Sequence, residues 1–289
     1  MSVIIRILET PQEMAQAEEL QRLVWPGSEL DVLPLHILLT FAHNGGLVLG
    51  AYDDELLVGL LVGFPGLYPL PDGPQPKHCS HELGVHPNYQ SAGIGFALKR
   101  AQWQMLRQKG LSLATWTYDP LLSRNAQLNI ARLGAVCNTY LSNYYGEMRD
   151  GLNSGLESDR FQVDWWLNTP RVSRKLGQRS RPSLTLEHYA SAETQALYQP
   201  IKPPAAWLRP PEHFSTPQQS LALAEIPSDF MALKQKDPSL ARDWRSFSRE
   251  VFTTCFRQGY LVTDFIFERT GDIPRSFYVM VDGQSTLND

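Results

Sequence analysis

The stretch His81–Gly110, HELGVHPNYQSAGIGFALKRAQWQMLRQKG, limits what this chain can fold into more than any other. A short apolar strand runs into a turn. The turn opens onto small residues, Gln90-Ser91-Ala92-Gly93-Ile94-Gly95, and a helical pattern follows at once. Ile94, Ala97, Leu98, Ala101, Met105 and Leu106 keep the spacing of one buried helix face. Gly110 stops the helix, and Arg107 and Lys109 stand in its last turn, where cations suit the dipole. A bare-backbone turn at a helix N-terminus is a ready anion site, because unpaired N–H groups and the positive dipole end point the same way.

Several readings compete for this turn. A dinucleotide fingerprint needs G-x-G-x-x-G directly after a strand; Gly93 and Gly95 fit, but Leu98 holds the third place. A P-loop needs a terminal Gly-Lys-Ser/Thr, which is missing. Glycines that serve packing alone are the bland alternative. The remaining reading is Q-x-x-G-x-G after a strand ending in Val85-His86-Pro87. It resembles the pyrophosphate-binding motif of the GNAT superfamily of acyl-CoA N-acyltransferases.

Composition narrows the classes. The 289 residues suit one large or two ordinary domains, and 43% hydrophobic residues suffice for a core. No apolar run approaches the roughly 18 residues that span a bilayer. MSVIIRILET lacks the basic-then-apolar pattern of a signal peptide. Cys79, Cys137 and Cys255 are scattered and form neither metal spacing nor a disulfide framework. A cytoplasmic protein without a metal or membrane partner is expected. The net charge of −4 argues against a nucleic acid held by a broad basic surface, though not against a local pocket for a phosphorylated ligand.

Taken in order, Ile4–Leu8 reads as a strand and Pro11–Trp25 as a helix with Thr10 as N-cap. A second helix spans Pro34–His43. Leu47–Tyr52 and Leu56–Phe64 form a hairpin, 63–73 a Gly/Pro-rich loop, and His78–Val85 the strand before the central helix. Leu113–Thr117 is a strand, Ser123–Leu133 a helix, and Val136–Tyr145 and Phe161–Leu167 are extended. The alternation implies an α/β (α+β) mixed sheet with helices on both faces.

That order is similar to the GNAT fold over residues 3–168, which predicts a mostly antiparallel sheet flanked by helices, as an acyl-CoA-binding domain over 1–168. More narrowly, TWTYDPLLSRNAQLNIARLGAV and the later YLSNYYG resemble a bacterial GNAT subfamily with a C-terminal extension. Some relatives of that subfamily are associated with amino-acid N-acylation, including by succinyl-CoA. The resemblance implies transfer of an acetyl or succinyl group from acetyl-CoA or another acyl-CoA to the amine of a small molecule, with a homodimer allowed. Gln90, Ser91, Ala92, Gly93, Ile94, Gly95 and Phe96 would hold the pyrophosphate, with Lys99 or Arg100 either assisting or lying on the solvated helix face. Leu83, Gly84 and Val85 would pair with the pantetheine arm, and Arg124 and Asn125 would lie near the pantetheine or the 3′-phosphate. For the base, the candidates are Glu82 by residue type and His81 by position. Alternation along a strand would put them on opposite faces. His78 and His86 are weaker candidates, and His86 reads as a turn residue. Many relatives carry a Tyr four residues before the helix-ending Gly; here Ile130 holds that place. Tyr118, Tyr140, Tyr144 or Tyr145 would have to substitute as acid. Asp119 reads either as an ammonium ligand or as an Asp-Pro turn.

Beyond residue 168, a linker and Pro-rich loop are expected over 169–219. The basic run Arg171, Arg174, Lys175, Arg179 and Arg181 is expected to be solvated, and six prolines fall within Gln199–Pro217. A small α+β lobe is expected over 220–289, open to being a partial copy of the first domain. A non-catalytic acyl-CoA-binding or regulatory protein on the same fold is the rival reading. An interaction module with a groove blocked by the C-terminal lobe is a third.

Overall fold

A computed structural model describes residues 3–27, 29–146, 155–177, 184–202, 207–269 and 273–283. Arg179 and Arg181 of the basic run fall outside them. The chain packs as two compact units. Among the described residues, the first holds those up to 116 and 166–168, and the second holds those of 117–146, 155–165 and 169–283. The boundary at 168 follows family resemblance; the packing divides the chain elsewhere.

The first unit runs β1 (Ile4–Ile7), α1 (Pro11–Val24), α2 (Leu35–His43), β2 (Leu47–Asp53), β3 (Leu56–Tyr68), β4 (Gln75–Val85), α3 (Ile94–Gln108) and the start of β5 (Leu113–Tyr118). Thr10 caps α1 through a reciprocal pair with Glu13, and Pro11 occupies the first turn, where its missing N–H costs nothing. The strand order is β1-β2-β3-β4-β5. Pairing is antiparallel except between β4 and β5, which are parallel and registered at His78↔Ala114 and Cys79↔Thr115.

The hairpin strands exceed their expected lengths. β3 continues through Pro65 and Gly66 to Tyr68, so the loop expected over 63–73 begins only after Tyr68. β2 ends opposite Gly63, so from Phe64 onward β3 has only β4 beside it, and a proline is tolerated in a strand with one free side.

Helices cover both sheet faces. Met14, Ala17 and Leu20 of α1 and Leu38 of α2 bury against Val48, Leu60 and Val62. On the other face α3 lies so close that a Cβ on Gly59 would stand 2.8 Å from Ile94 Cγ2.

The second unit contains α4 (Ser123–Ala126), β6 (Val136–Leu141), β7 (Arg160–Trp166), α5 (Pro170–Leu176), α6 (Leu186–Ser191), β8 (Gln195–Ala196), β9 (Leu221–Ile226), α7 (Phe230–Lys236), α8 (Pro238–Arg257), β10 (Tyr260–Glu268) and β11 (Arg275–Asp282). Its strand order is β7-β6-β10-β11-β9-β8. Phe161, Phe252, Tyr278 and Phe265 form its aromatic centre, with Phe161–Phe252 centroids 4.8 Å apart and Phe265–Tyr278 5.0 Å apart.

Three expectations change here. The helix over Ser123–Leu133 is α-helical only to Ala126. Gln127–Arg132 is a π-helix, with Leu133 N–H donating to Leu128 O at 2.9 Å. The run from Arg171 is not a solvated linker: it forms α5, where Arg171 donates to the carbonyls of Gly134 (3.0 Å) and Thr263. Finally, β9-α7-α8-β10-β11 repeats the element order of β1-α1-α2-β2-β3, but β11 is the middle strand where β2 holds that place in the first unit. The later set is therefore no register-preserving copy.

Candidate functional site

Gly93 ends the turn before α3 with φ +82°, and Ser91 adopts φ +68° two residues earlier. A Cβ at Gly93 would meet nothing within 4 Å, so the backbone conformation, not packing, asks for glycine. The first helical bond runs from Ala97 N–H to Gly93 O at 3.0 Å. The amides of Ile94 and Gly95 precede that ladder and point along the helix axis. Gly95 sits 3.7 and 3.8 Å from the Leu83 and Val85 side chains, measured from its Cβ position. The structure thus brings Leu83–Val85 and Gln90–Phe96 together: a strand edge beside an open backbone cradle.

Lys99 does not serve that cradle. It is buried, donating to Ser80 Oγ (2.8 Å) and Gln102 Oε1 (3.2 Å), with its Nζ 3.6 Å from the Trp116 ring centre. Burial holds its pKa well below the usual lysine value. Neither expectation for Lys99, phosphate partner or solvated surface, survives. Arg100 has a buried Nε with no hydrogen-bond partner.

The base candidates lie on an interrupted strand. Val62 pairs with Glu82 and Gly63 with Ser80, so His81 is an extra residue on β4, a β-bulge. Ser80 reaches Lys99 on the α3 face, and Leu83 and Val85 face Gly95 on the same side. Two residues lie between Ser80 and Leu83, so His81 and Glu82 both turn to the α1/α2 face. Independent contacts agree. The His81 ring lies 5.9 Å from Phe64, which lies 5.0 Å from Phe41 of α2. Glu82 is opposite Val62 of the α1/α2 core. The expectation that alternation separates the two is corrected: the bulge re-phases the strand.

Glu82 Oε2 is buried without a hydrogen-bond partner, and burial pushes its pKa up to about 7. His81 keeps an exposed edge, while the protein around its ring lowers its pKa. Gly84, two residues after Glu82, lies under Trp25: a Cβ there would stand 2.9 Å from Trp25 Cη2. His78 is fully buried on the α3 side with neither ring nitrogen partnered, and burial lowers its pKa to about 3. Gly63 makes room for it, since a Cβ would come within 2.1 Å of His78 Nε2. His86 is a turn residue whose Nδ1 accepts from Asn88 N–H at 3.2 Å.

The remaining candidates belong to the second unit. Arg124 is exposed and Asn125 half-buried at the start of α4, while Ser123 bonds Ser276 Oγ at 2.8 Å. Ile130 is fully buried in the π-helix. Tyr118 is buried, its hydroxyl 3.1 Å from that of Tyr278. Tyr140 donates to Asp159 at 2.6 Å, and Tyr145 bonds Thr117 at 2.8 Å. Tyr144 is exposed, its ring 4.7 Å from that of Tyr145. Asp119 is engaged by Arg245 Nη1 at 2.8 Å and accepts Leu121 N–H at 2.9 Å, so the turn reading holds and a buried ion pair is added.

Sequence reasoning missed Phe64 and Phe41 beside His81, and Trp25 over Gly84. Their place depends on the bulge, which no residue type announces.

Residues 11–127 match the sequence profile of the Acetyltransferase (GNAT) family. That stretch, about two fifths of the chain, is what is similar to this family of acetyltransferases. Among curated proteins, none matches the chain. Among solved structures, it is similar to an Arabidopsis thaliana NAA60 in complex with acetyl-CoA (15% identity, TM-score 0.46), covering 57% of this chain and 99% of that one. The IAA acetyltransferase of Bacillus cereus shares 18% identity at TM-score 0.42, with the same coverages. The ribosomal-protein-S18-alanine N-acetyltransferase of Escherichia coli shares 16% at TM-score 0.40, covering 63% of this chain and all of that one. Among the described residues, no helix is long and apolar enough to cross a membrane.

Proposed function

We propose that this chain is an acyl-CoA-dependent N-acyltransferase that moves an acetyl or succinyl group to the amine of a small molecule. One observation carries the reading: Glu82, with a buried and unpartnered Oε2 on the α1/α2 face, directly precedes the strand segment Leu83–Val85, whose side chains lie against Gly95 of the cradle on the other face. The cradle suits a pyrophosphate, because Gly93 leaves open space where a side chain would stand and the amides before the helical ladder supply donors. Leu83–Val85 pair with β3 on one side, and their other edge suits strand-like pairing with an extended pantetheine arm. Acyl-CoA, when bound, supplies a thioester carbonyl activated for attack.

Glu82 accepts the proton that the acceptor ammonium must lose before its nitrogen can attack, and a pKa near 7 suits that task at neutral pH. His81, on the same face, orients the acceptor. Leu83–Val85 backbone amides are the donors at hand for charge that builds on the carbonyl oxygen.

A non-catalytic acyl-CoA-binding protein is the second reading, favoured by the buried Ile130 in the place of the usual Tyr. One measurement tests both readings, and a second separates them. Acetyl-CoA or succinyl-CoA raises the melting temperature under both readings, and no shift at millimolar concentration defeats both. Thiol release over an amine panel occurs only under the first.

A further inference from the structure

We infer that the acceptor of this enzyme is a primary amine carrying an aromatic ring, an inference that rests on the transferase reading. The bulge at His81 gathers rings on both sides of Glu82 along β4. Before it stand His81, Phe64 and Phe41, in a ladder with centroid spacings of 5.9 and 5.0 Å. After it stands Trp25, lying over Gly84 on the same face. Phe41, Phe64 and Trp25 are half-buried and His81 is exposed, so these rings keep some uncovered surface on the face to which Glu82 turns. Uncovered ring faces and edges take a further ring in tilted or edge-on geometry, as they already take one another.

Charge argues for the same class. Among the described residues, Glu82 and His81 form no ion pair, and burial alone moves both groups in their titration. One carboxylate can receive one amine. A polyamine would bring a second ammonium to an aromatic wall that offers no carboxylate to meet it. A short alkylamine would leave the wall uncovered.

The test uses the full chain with acetyl-CoA and succinyl-CoA, following thiol release with 2-phenylethylamine, n-butylamine and spermidine. The aromatic amine is expected to exceed both others by about tenfold or more in kcat/KM, the discrimination a shaped apolar subsite delivers. Phe64→Leu is expected to bring that ratio to about twofold, since the ring supplies the preference. Should that variant fold poorly, the wild-type chain answers alone: 2-phenylethanol, which keeps the ring and lacks the amine, should compete with n-butylamine. Equal kcat/KM across the panel, a preference for spermidine, or no competition by 2-phenylethanol overturns the inference and leaves the transferase reading standing. Absence of thiol release with every amine, in a chain that binds acyl-CoA, overturns the transferase reading and this inference with it.

Discussion

Glu82 shows how one side chain links stability to chemistry. Its Oε2 is buried without a partner, so the fold disfavours the charged form and raises its pKa from the ordinary carboxylate range to about 7. Below the unfolded value both states hold the proton and the residue is neutral for stability. As pH rises from there to about 7, the unfolded chain ionises first and stability falls. Glu82→Gln should therefore gain on the order of 2 kcal/mol at pH 8 and nothing near pH 4 by urea denaturation. The same change should lower kcat by roughly 10²–10⁴ while acyl-CoA binding persists, and the wild-type rate should rise with pH until about 7. The residue type was legible in the sequence as a candidate base. Its isolation was not, because that depends on which side chains fail to reach it.

Among the elements, the turn before α3 was the most legible, since glycine spacing and helix periodicity are local properties. Gly93 and Gly95 nonetheless do different work. Gly93 has a left-handed backbone in open space, while Gly95 makes only ordinary contacts through its Cβ position. Gly93→Ala should cost about 1 kcal/mol in stability, from the positive φ, and should weaken acyl-CoA binding about tenfold. Gly95→Ala should spare stability and weaken binding alone. Thermal melts with and without acetyl-CoA, with titration calorimetry, distinguish the two. β4 was legible as a strand but not as a bulged one. A bulge is set by the register of two strands, and the alternation rule assumes that register is unbroken. Lys99 went astray for a related reason: its periodicity leaves it beside the buried stripe, and only Ser80, Gln102 and Trp116 across the packing make a home for its ammonium.

On the scale of the whole molecule, the second unit was the least legible, because its centre is assembled from distant segments. Asp119 and Arg245 are 126 positions apart, with side chains 11% and 3% exposed. Removing one partner strands a buried charge, so Asp119→Ala should cost about 3–5 kcal/mol, read by chemical denaturation. Adding Arg245→Met should recover much of it, since no charge is then left unpaired. The basic run from Arg171 misled for the same reason: its partners, the carbonyls of Gly134 and Thr263, lie 37 and 92 positions away. The aromatic centre of this unit carries a consequence for how the chain can be divided. Tyr118 and Phe161 come from before residue 168, and Phe252 and Tyr278 from after it. A fragment cut at 168 would keep the whole stretch that resembles an acetyltransferase yet lose two of these four rings. The family's outline and the folding unit are different objects in this protein, and the later half of the gene serves as interior to the earlier one.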